Sequence, residues 1–165
     1  MSYFNQRRVF LAGSFATLLS GCNFTPVYGP DGTGSKIENR IFITEPTTKD
    51  LYLVTRRLET RLGRADPAPM NLSVSVSHGT SGLGTTATGS TTRLHRTGTL
   101  SYSLTNSATE QKIDSGSISN FVGYSVTGNT ATSLAAERAS VDRLMNVLAD
   151  QLVDRLFLLD PKLLP

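Results

Sequence analysis

The chain has 165 residues, and its 16 Lys and Arg residues against 13 Asp and Glu residues give a formal net charge of +3. This length predicts one domain, and the small excess of basic residues gives no ground for nucleic-acid binding. The single cysteine excludes a disulfide bond within the chain and a cysteine-rich zinc site.

The N-terminus has the pattern of a secretory signal peptide. Arg7 and Arg8 precede an apolar run over residues 9–19, which the small residues Ser20 and Gly21 follow. The run is too short for a membrane span, which needs about 20 apolar residues. Residues 1–21 are therefore predicted to be removed, and 14 basic against 13 acidic residues remain, a net charge of +1. The arginine pair also resembles a twin-arginine signal, so both export routes stay open.

The only cysteine follows this signal directly. Leu19-Ser20-Gly21-Cys22 resembles the lipobox of bacterial lipoproteins, in which the thiol carries a diacylglycerol and the signal is cut just before it. We expect cleavage between Gly21 and Cys22 and a covalent lipid on Cys22, whose two or three acyl chains suffice for stable anchoring. The alternative is a buried free thiol. Asn23 follows the cysteine, and by resemblance to enterobacterial sorting it favours the outer membrane.

Residues 22–35 are rich in Gly, Pro, Ser and Thr and predict a tether, although Phe24, Val27 and Tyr28 are expected to pack on a surface. One domain is expected over residues 36–160, with a short tail at 161–165. Its first strand is predicted over 37–44 and its first helix over 48–63. Thr47 or Thr48 would cap this helix, and its apolar stripe comprises Leu51, Val54, Leu58 and Leu62.

The middle of the chain predicts three strands. Residues 70–78 alternate apolar and polar side chains, as in a half-buried strand. Residues 79–92 are nearly all Gly, Ser and Thr. Thr permits extended structure and Gly permits mobility, which predicts a long hairpin with a poorly ordered tip. Strands are then expected over 94–104 and 112–125. The apolar residues of the last strand do not keep one parity, which predicts a bulge at Gly116 or Asn120.

The strongest periodic pattern predicts a helix over residues 130–160, capped by Thr130 or Thr132 and stopped by Pro161. Its apolar stripe comprises Leu134, Val141, Leu144, Met145, Leu148, Leu152, Leu156 and Leu159. A coiled coil is the alternative, but the heptad spacing is not sustained. The element order β-α-β-β-β-α predicts a single α+β domain, in which two helices cover one face of a four-stranded sheet.

Three segments carry a resemblance to a known family: "LSGCNFTPVYG", the strand with Arg93, Gly98, Leu100, Tyr102 and Leu104, and "NFVGYSVTGNTATSLAAERAS" with the helix that follows it. Over residues 22 to 159 the chain resembles LptE, the lipopolysaccharide-assembly lipoprotein of alphaproteobacteria. The resemblance implies a lipid-anchored protein on the periplasmic side of the outer membrane. It further implies a heterodimer in which this chain plugs a large β-barrel partner and supports lipopolysaccharide transport to the cell surface.

The polar residues also argue against an enzyme. The two histidines, His78 and His95, have no catalytic motif around them, and no serine lies in a G-x-S-x-G sequence. We expect no catalytic residue, no metal site and no cofactor beyond the lipid on Cys22.

Basic residues are the candidates for contact with lipopolysaccharide phosphates or with a barrel wall, because guanidinium groups suit anionic oxygens. They are Arg93, His95 and Arg96 on one strand and Arg56, Arg57, Arg61 and Arg64 on and beside the first helix. A solvated basic face is the plain alternative. The other function class left open is a free-standing periplasmic ligand-binding or adaptor lipoprotein, with its cleft between helices and sheet.

Overall fold

The computed structural model describes residues 26–30, 32–85, 91–126 and 129–165, with the backbone alone for 83–85, 91 and 92. The predicted signal peptide, the cleavage and lipidation site at Cys22, and the centre of the hairpin loop lie outside the described residues. In chain order the elements are α1 (Thr33–Ile37), β1 (Ile41–Ile43), α2 (Lys49–Leu62), β2 (Met70–Thr85), β3 (Thr91–Asn106), β4 (Lys112–Ser125) and α3 (Thr130–Phe157). A 3-10 turn, Pro161–Leu163, follows.

The four strands form one mixed sheet in the order β1-β2-β3-β4. Only β1 and β2 are parallel, and the other two pairs are antiparallel. Helices α2 and α3 pack against each other and against the same face of this sheet. The predicted α+β fold is therefore confirmed, with α1 as an additional element.

The core fills the space between the two helices and the sheet. Leu100 and Leu104 of β3 and Leu144, Leu148 and Leu152 of α3 have no solvent exposure. Side chains alternate between the faces of a strand, so the even-numbered residues of β3 face the helices and the odd-numbered residues face away. In the described part of the chain, no helix combines the length and the apolar character needed to cross a membrane.

The predicted strand over 37–44 is wrong for its first four residues. Ile37 ends α1, and Asn39 then adopts a positive φ of 55° and donates its backbone N–H to the carbonyl oxygen of Leu62 at 2.7 Å. This tertiary hydrogen bond reverses the chain before β1 begins. Gly63 follows Leu62 at a φ of 77°, where an added Cβ would overlap the Asn39 side chain.

Helix α2 agrees with its prediction to within one residue at each end. The Thr48 side chain caps it by accepting a hydrogen bond from the Leu51 backbone N–H at 3.2 Å. Val54, Leu58 and Leu62 of the predicted stripe are buried, and Leu51 is half-buried.

The long hairpin expected over 79–92 is present, but its two strands extend further than the predicted ranges 70–78 and 94–104. β2 continues to Thr85 and β3 resumes at Thr91, with cross-strand pairs such as Gly79 opposite Thr97 and Ser81 opposite His95. Thr favours extended backbone, and pairing between the strands orders the adjacent Gly and Ser residues.

The bulge predicted in β4 is also wrong in position. Pairing with β3 is regular from Asp114 to Ser125, and the register shifts only where Leu104 and Thr105 oppose Asp114 and Lys112. Phe121 breaks the apolar parity because it lies on the sheet face away from the helices.

Helix α3 begins at Thr130, the first residue of the predicted range, but its capping residue and its end differ from the prediction. Asn129, and not Thr130 or Thr132, caps it through its side-chain oxygen, and the helix ends at Phe157, before residue 160. Leu134, predicted on the buried stripe, is 44% exposed. The coiled-coil alternative is excluded, because the stripe from Leu144 onward packs on the sheet and α2.

Candidate functional site

The sheet face that the helices leave open is lined with hydroxyl groups. Three cross-strand rows run over β2, β3 and β4: Ser73, Ser103 and Ser115; Ser75, Ser101 and Ser117; Ser77, Thr99 and Ser119. Within the last row, the hydroxyl oxygens of Thr99 and Ser119 are 2.8 Å apart. We call this surface the open face. It offers hydrogen-bond donors and acceptors but little apolar area.

One aromatic pair interrupts the hydroxyl rows. The His95 ring on β3 stacks on the Phe121 ring on β4, with centroids 4.7 Å apart and an interplanar angle of 28°. Phe121 remains 56% exposed. The pair is therefore a small planar platform on an otherwise polar surface.

A depression lies on either side of this platform. One, of about 380 Å³, is lined on the open face by Ser77, Gly79, Thr97, Thr99, Ser119 and Phe121. The other, of about 500 Å³, is lined by Arg93, His95, Gly123, Tyr124 and Ser125. Arg93 is exposed and has no hydrogen-bond or ion-pair partner among the described residues. Its guanidinium is therefore available to an anionic ligand.

Arg96 lies on the opposite side of the sheet from Arg93 and His95. It is 5% exposed. Its Nε donates to the Ser140 Oγ at 3.0 Å and its Nη2 donates to the Glu137 Oε1 at 2.8 Å, both on α3. The guanidinium carbon is 5.6 Å from the centre of the Tyr124 ring. Arg96 thus joins β3 to α3 and does not share a surface with the other two residues of the predicted group.

His78 extends the network of Arg96 to a more exposed position of the sheet. Its Nδ1 is 3.3 Å from the Nη1 of Arg96, and its Nε2 is 2.9 Å from the Asp50 Oδ2 on α2. Both ring nitrogens of His78 therefore have a hydrogen-bond partner. The Ser140 hydroxyl also has one, since it donates to the Glu137 backbone oxygen at 2.6 Å. An Asp–His pair with a nearby serine is therefore present, but its groups are already occupied by structural hydrogen bonds.

The arginines of α2 lie in the helical layer, away from the open face. Arg57 forms a two-pronged ion pair with Asp150 of α3, with N–O distances of 2.8 and 2.9 Å. Hydrogen bonding to this carboxylate, and its charge, raise the pKa of Arg57. Arg56 lies over the Tyr52 ring at 6.0 Å.

Two further arginines belong to this helix and its exit. Arg64 is 3.8 Å from a Glu59 carboxylate oxygen. Arg61 is exposed and has no partner among the described residues. The predicted basic residues therefore fall on separate surfaces.

Two features escaped the sequence analysis. Tyr102 donates its hydroxyl proton to the Asp114 Oδ2 at 2.8 Å and accepts from the Arg155 Nε at 3.3 Å, which links β3, β4 and α3. Burial is the main cause that raises the pKa of Tyr102. The second feature is the exposed ring of Phe121. Its position could have been inferred from the sequence, because Phe121 is out of phase with the inward-facing residues of β4. Within the described ranges, no group of three or more His, Cys, Asp or Glu residues could hold a metal ion.

Solved structures with this fold come from several bacteria. A candidate lipoprotein from Caulobacter crescentus CB15 is 17% identical, with a TM-score of 0.63 over 76% of this chain and 92% of that one. A minor lipoprotein from Acinetobacter baumannii is 15% identical, with a TM-score of 0.57 over 73% and 92%. Rare lipoprotein B from Shewanella oneidensis is 16% identical, with a TM-score of 0.53 over 70% and 90%. At these identities the similarity establishes the fold alone.

The sequence itself identifies the family. No curated protein matches it significantly. The family model for LptE, described as lipopolysaccharide-assembly, matches residues 39–156, which is more than half of the chain. This match confirms the resemblance inferred from the sequence and assigns the chain a role in lipopolysaccharide assembly. The protein belongs to the LptE family.

Proposed function

We propose that this protein is a lipid-anchored, non-catalytic plug of the β-barrel that inserts lipopolysaccharide at the outer membrane, with Cys22 as the anchor on the periplasmic side. In this proposal the open face meets the barrel lumen and the lipopolysaccharide, and Arg93 and His95 contact its phosphate groups. The observation that carries the proposal is the position of Arg93, exposed and without a partner among the described residues, at the end of the sheet farthest from β1.

The length of the sheet supports this arrangement. Residue 41, which begins β1, pairs with Met70 at the start of β2, whereas Arg93 pairs with Gly84 near its end. Fourteen residue steps of β-strand cover about 45 Å. The hydrocarbon core of a bilayer is about 30 Å thick. A domain anchored through its N-terminus and inserted along a barrel axis would therefore carry Arg93 across most of the membrane.

The chemistry of the open face supports the same assignment. The lumen of an outer-membrane barrel is polar, so a hydroxyl-lined sheet can face it without burying apolar surface. The Arg93 guanidinium suits phosphate oxygens. The platform of His95 and Phe121 lies beside it and can pack against a sugar ring. Arg56 and Arg61, on the helical layer, are kept as proposed contacts with acidic groups of the barrel wall.

The core argues against the alternative of a free-standing binder with a cleft between helices and sheet. Leu100, Leu104, Leu144 and Leu148 fill that space and have no exposure. Arg96 and Arg57 are engaged in internal ion pairs. We therefore assign these two arginines to the stability of the domain and leave them out of the proposed contact surface.

The contact proposal is tested by reversing one charge. Arg93→Glu is expected to weaken binding of labelled lipopolysaccharide severalfold, with a smaller loss at high salt because exposed charges are screened. The matched control is Arg138→Glu, which makes the same charge change at an exposed position on α3. Equal affinities of both variants and the wild type, with unchanged circular dichroism spectra, would leave Arg93 as a solvated residue only.

The plug and the anchor are tested separately. The lipidated protein is expected to co-purify in detergent with one large outer-membrane barrel protein, and its recovery alone would contradict the plug.

Cys22→Ala is expected to leave uncut precursor without acyl chains, because the chain has no other thiol. Palmitate labelling of this variant at the wild-type level would refute Cys22 as the lipidation site.

A further inference from the structure

We infer that one end of the domain, formed by Val27, Tyr28, Leu158 and Leu163, rests on a lipid bilayer surface and orients the anchored protein. We call these four residues the terminal apolar patch. They are 40%, 64%, 80% and 57% exposed, respectively. This inference rests on the proposed lipidation of Cys22, but it does not depend on the barrel.

Most of the exposed apolar side chains lie on the two ends of the described chain. Seven large apolar side chains are exposed in the described part of the chain, and four of them belong to this patch. The other three, Tyr52, Phe121 and Leu134, lie on α2, β4 and the start of α3. Single exposed apolar residues are ordinary on protein surfaces, whereas a group of them marks an interaction site.

The N-terminal segment that carries Val27 and Tyr28 is held in place by contacts with the rest of the domain. The Tyr28 ring packs edge-on against the Phe157 ring, with centroids 5.6 Å apart. The Val27 carbonyl oxygen accepts from the Gly34 N–H at 2.8 Å, and an added Cβ on Gly34 would lie 3.0 Å from the Val27 Cγ1. The N-terminal segment is thus held to α1 and to the end of α3, next to Leu158.

The C-terminal segment is tied to α1 in the same way. The Thr33 hydroxyl donates to the Leu159 carbonyl oxygen at 2.9 Å, and the Lys36 Nζ donates to the Pro161 carbonyl oxygen at 2.8 Å. These bonds fix the turn that carries Leu163. Both ends of the described chain are therefore tied to α1, and the four patch residues lie on these two segments.

The position of Cys22 identifies a bilayer as the occupant. Three residues lie between Cys22 and Pro26, the first described residue, and these four residue steps span at most about 14 Å. A lipid on Cys22 would hold Pro26, and with it the N-terminal side of the patch, within this distance of the membrane surface. Leucines that enter the acyl region and a tyrosine at the headgroup level are the side chains that suit this position.

The patch is too small to bind a membrane by itself. Stable attachment takes two signals, and here the acyl chains would be the first and the patch the second. Its effect is therefore orientation: the α1 end stays at the bilayer surface, and the opposite end, with Arg93 and His95, is held away from the anchored leaflet.

Hydrogen–deuterium exchange measured by mass spectrometry tests the inference without a probe attached to the protein. The lipidated protein is placed in vesicles of phosphatidylethanolamine and phosphatidylglycerol. Compared with the unlipidated Cys22→Ser protein in solution, peptides covering residues 26–30 and 157–165 are expected to exchange severalfold more slowly. Peptides covering residues 93–99, at the other end of the sheet, are expected to be unchanged. Equal exchange of the patch peptides in both samples would overturn the inference.

A matched variant separates the patch from the anchor. Leu158→Asp with Leu163→Asp should keep the acyl chains and the fold, since both side chains are exposed, but should lose the protection at residues 157–165. Protection that persists in this variant would refute the patch. If mass spectrometry finds no acyl chain on Cys22, coupling its thiol to a maleimide phospholipid tests the patch independently. Protection that appears only after outer-membrane proteins are added would identify a protein interface and overturn the bilayer.

Discussion

Nη1 of Arg96 lies 3.3 Å from Nδ1 of His78, and this contact determines which ring nitrogen of the histidine carries the proton. A guanidinium has donors only, so Nδ1 has to accept. Nε2 then carries the hydrogen and donates it to the Asp50 carboxylate, 2.9 Å away. The imidazole thereby joins β3, through Arg96, to the first turn of α2.

This arrangement predicts the tautomer of His78. At neutral pH, the two ring nitrogens of neutral His78 should show the ¹⁵N chemical shifts of the Nε2–H form in a long-range proton–nitrogen correlation spectrum. His95, whose ring stacks on Phe121, serves as the internal reference, because no hydrogen bond from the described residues dictates one tautomer of its ring. A neutral Nδ1–H form of His78 would contradict the hydrogen bond from Arg96.

The second prediction concerns the free energy of unfolding. Arg96→Met removes the donors to Ser140, Glu137 and His78 while keeping most of the apolar volume. Glu137 is half exposed, so water can solvate its carboxylate, and we expect a loss of about 2 kcal/mol and not the larger cost of a fully buried ion. Arg93→Met, at an exposed position, should change stability by less than about 0.5 kcal/mol. Urea unfolding of both variants measures the difference, and similar midpoints would refute the structural role of Arg96.

Residues 93 to 96 show what sequence reasoning could and could not provide. Their proximity in sequence suggested one basic group. The apolar residues Leu100, Tyr102 and Leu104 alternate with polar residues, which predicts that they face inward. The two-residue period of a strand then places Arg96 inward with them. The separation of Arg96 from Arg93 was therefore predictable from the residues. Its partners on α3 were not, because they depend on how the helix lies across the sheet.

The same distinction applies to the fold. The bounds of helix α2 and strand β4 were predicted closely. The spacing of apolar residues and the residues that begin and end an element are local properties of the sequence. Residues 37–40 were misassigned, since the hydrogen bond from Asn39 to Leu62 comes from a distant segment. The Gly, Ser and Thr residues after His78 indicated mobility by composition, but their pairing with β3 is a non-local interaction that composition does not contain.

The third prediction tests the close approach of α3 to β3. An added Cβ on Gly98 would lie 2.8 Å from the Leu144 Cδ2 and 3.2 Å from the Leu148 Cδ1. Gly98→Ala should therefore destabilise the domain by about 1–3 kcal/mol, because both leucine side chains have to move within a packed core.

Gly79→Ala is the matched control. Its added Cβ would lie 4.0 Å from the nearest atom, the Thr97 Oγ1, on the open face. This change should stabilise the strand by about 0.5 kcal/mol, since alanine loses less backbone freedom than glycine. Thermal unfolding compares the two variants, and a Gly98→Ala protein as stable as Gly79→Ala would mean that the helix does not lie this close to the sheet.

The last prediction follows from the raised pKa of Tyr102, whose main cause is burial. An unfolded tyrosine has a pKa of about 10, so above that pH the unfolded chain loses this proton while the folded protein still holds it. The contribution of Tyr102 to stability is therefore fully present below pH 10 and is lost as the pH rises through the folded pKa.

Tyr102→Phe should cost about 1 kcal/mol at neutral pH, because the variant lacks the hydrogen bonds to Asp114 and Arg155. Because every other titrating group is common to both proteins, the stability difference between wild type and variant should shrink between pH 10 and 11.5 in urea unfolding. A difference that stays constant over this range would show that the phenol titrates alike in the folded and unfolded chains.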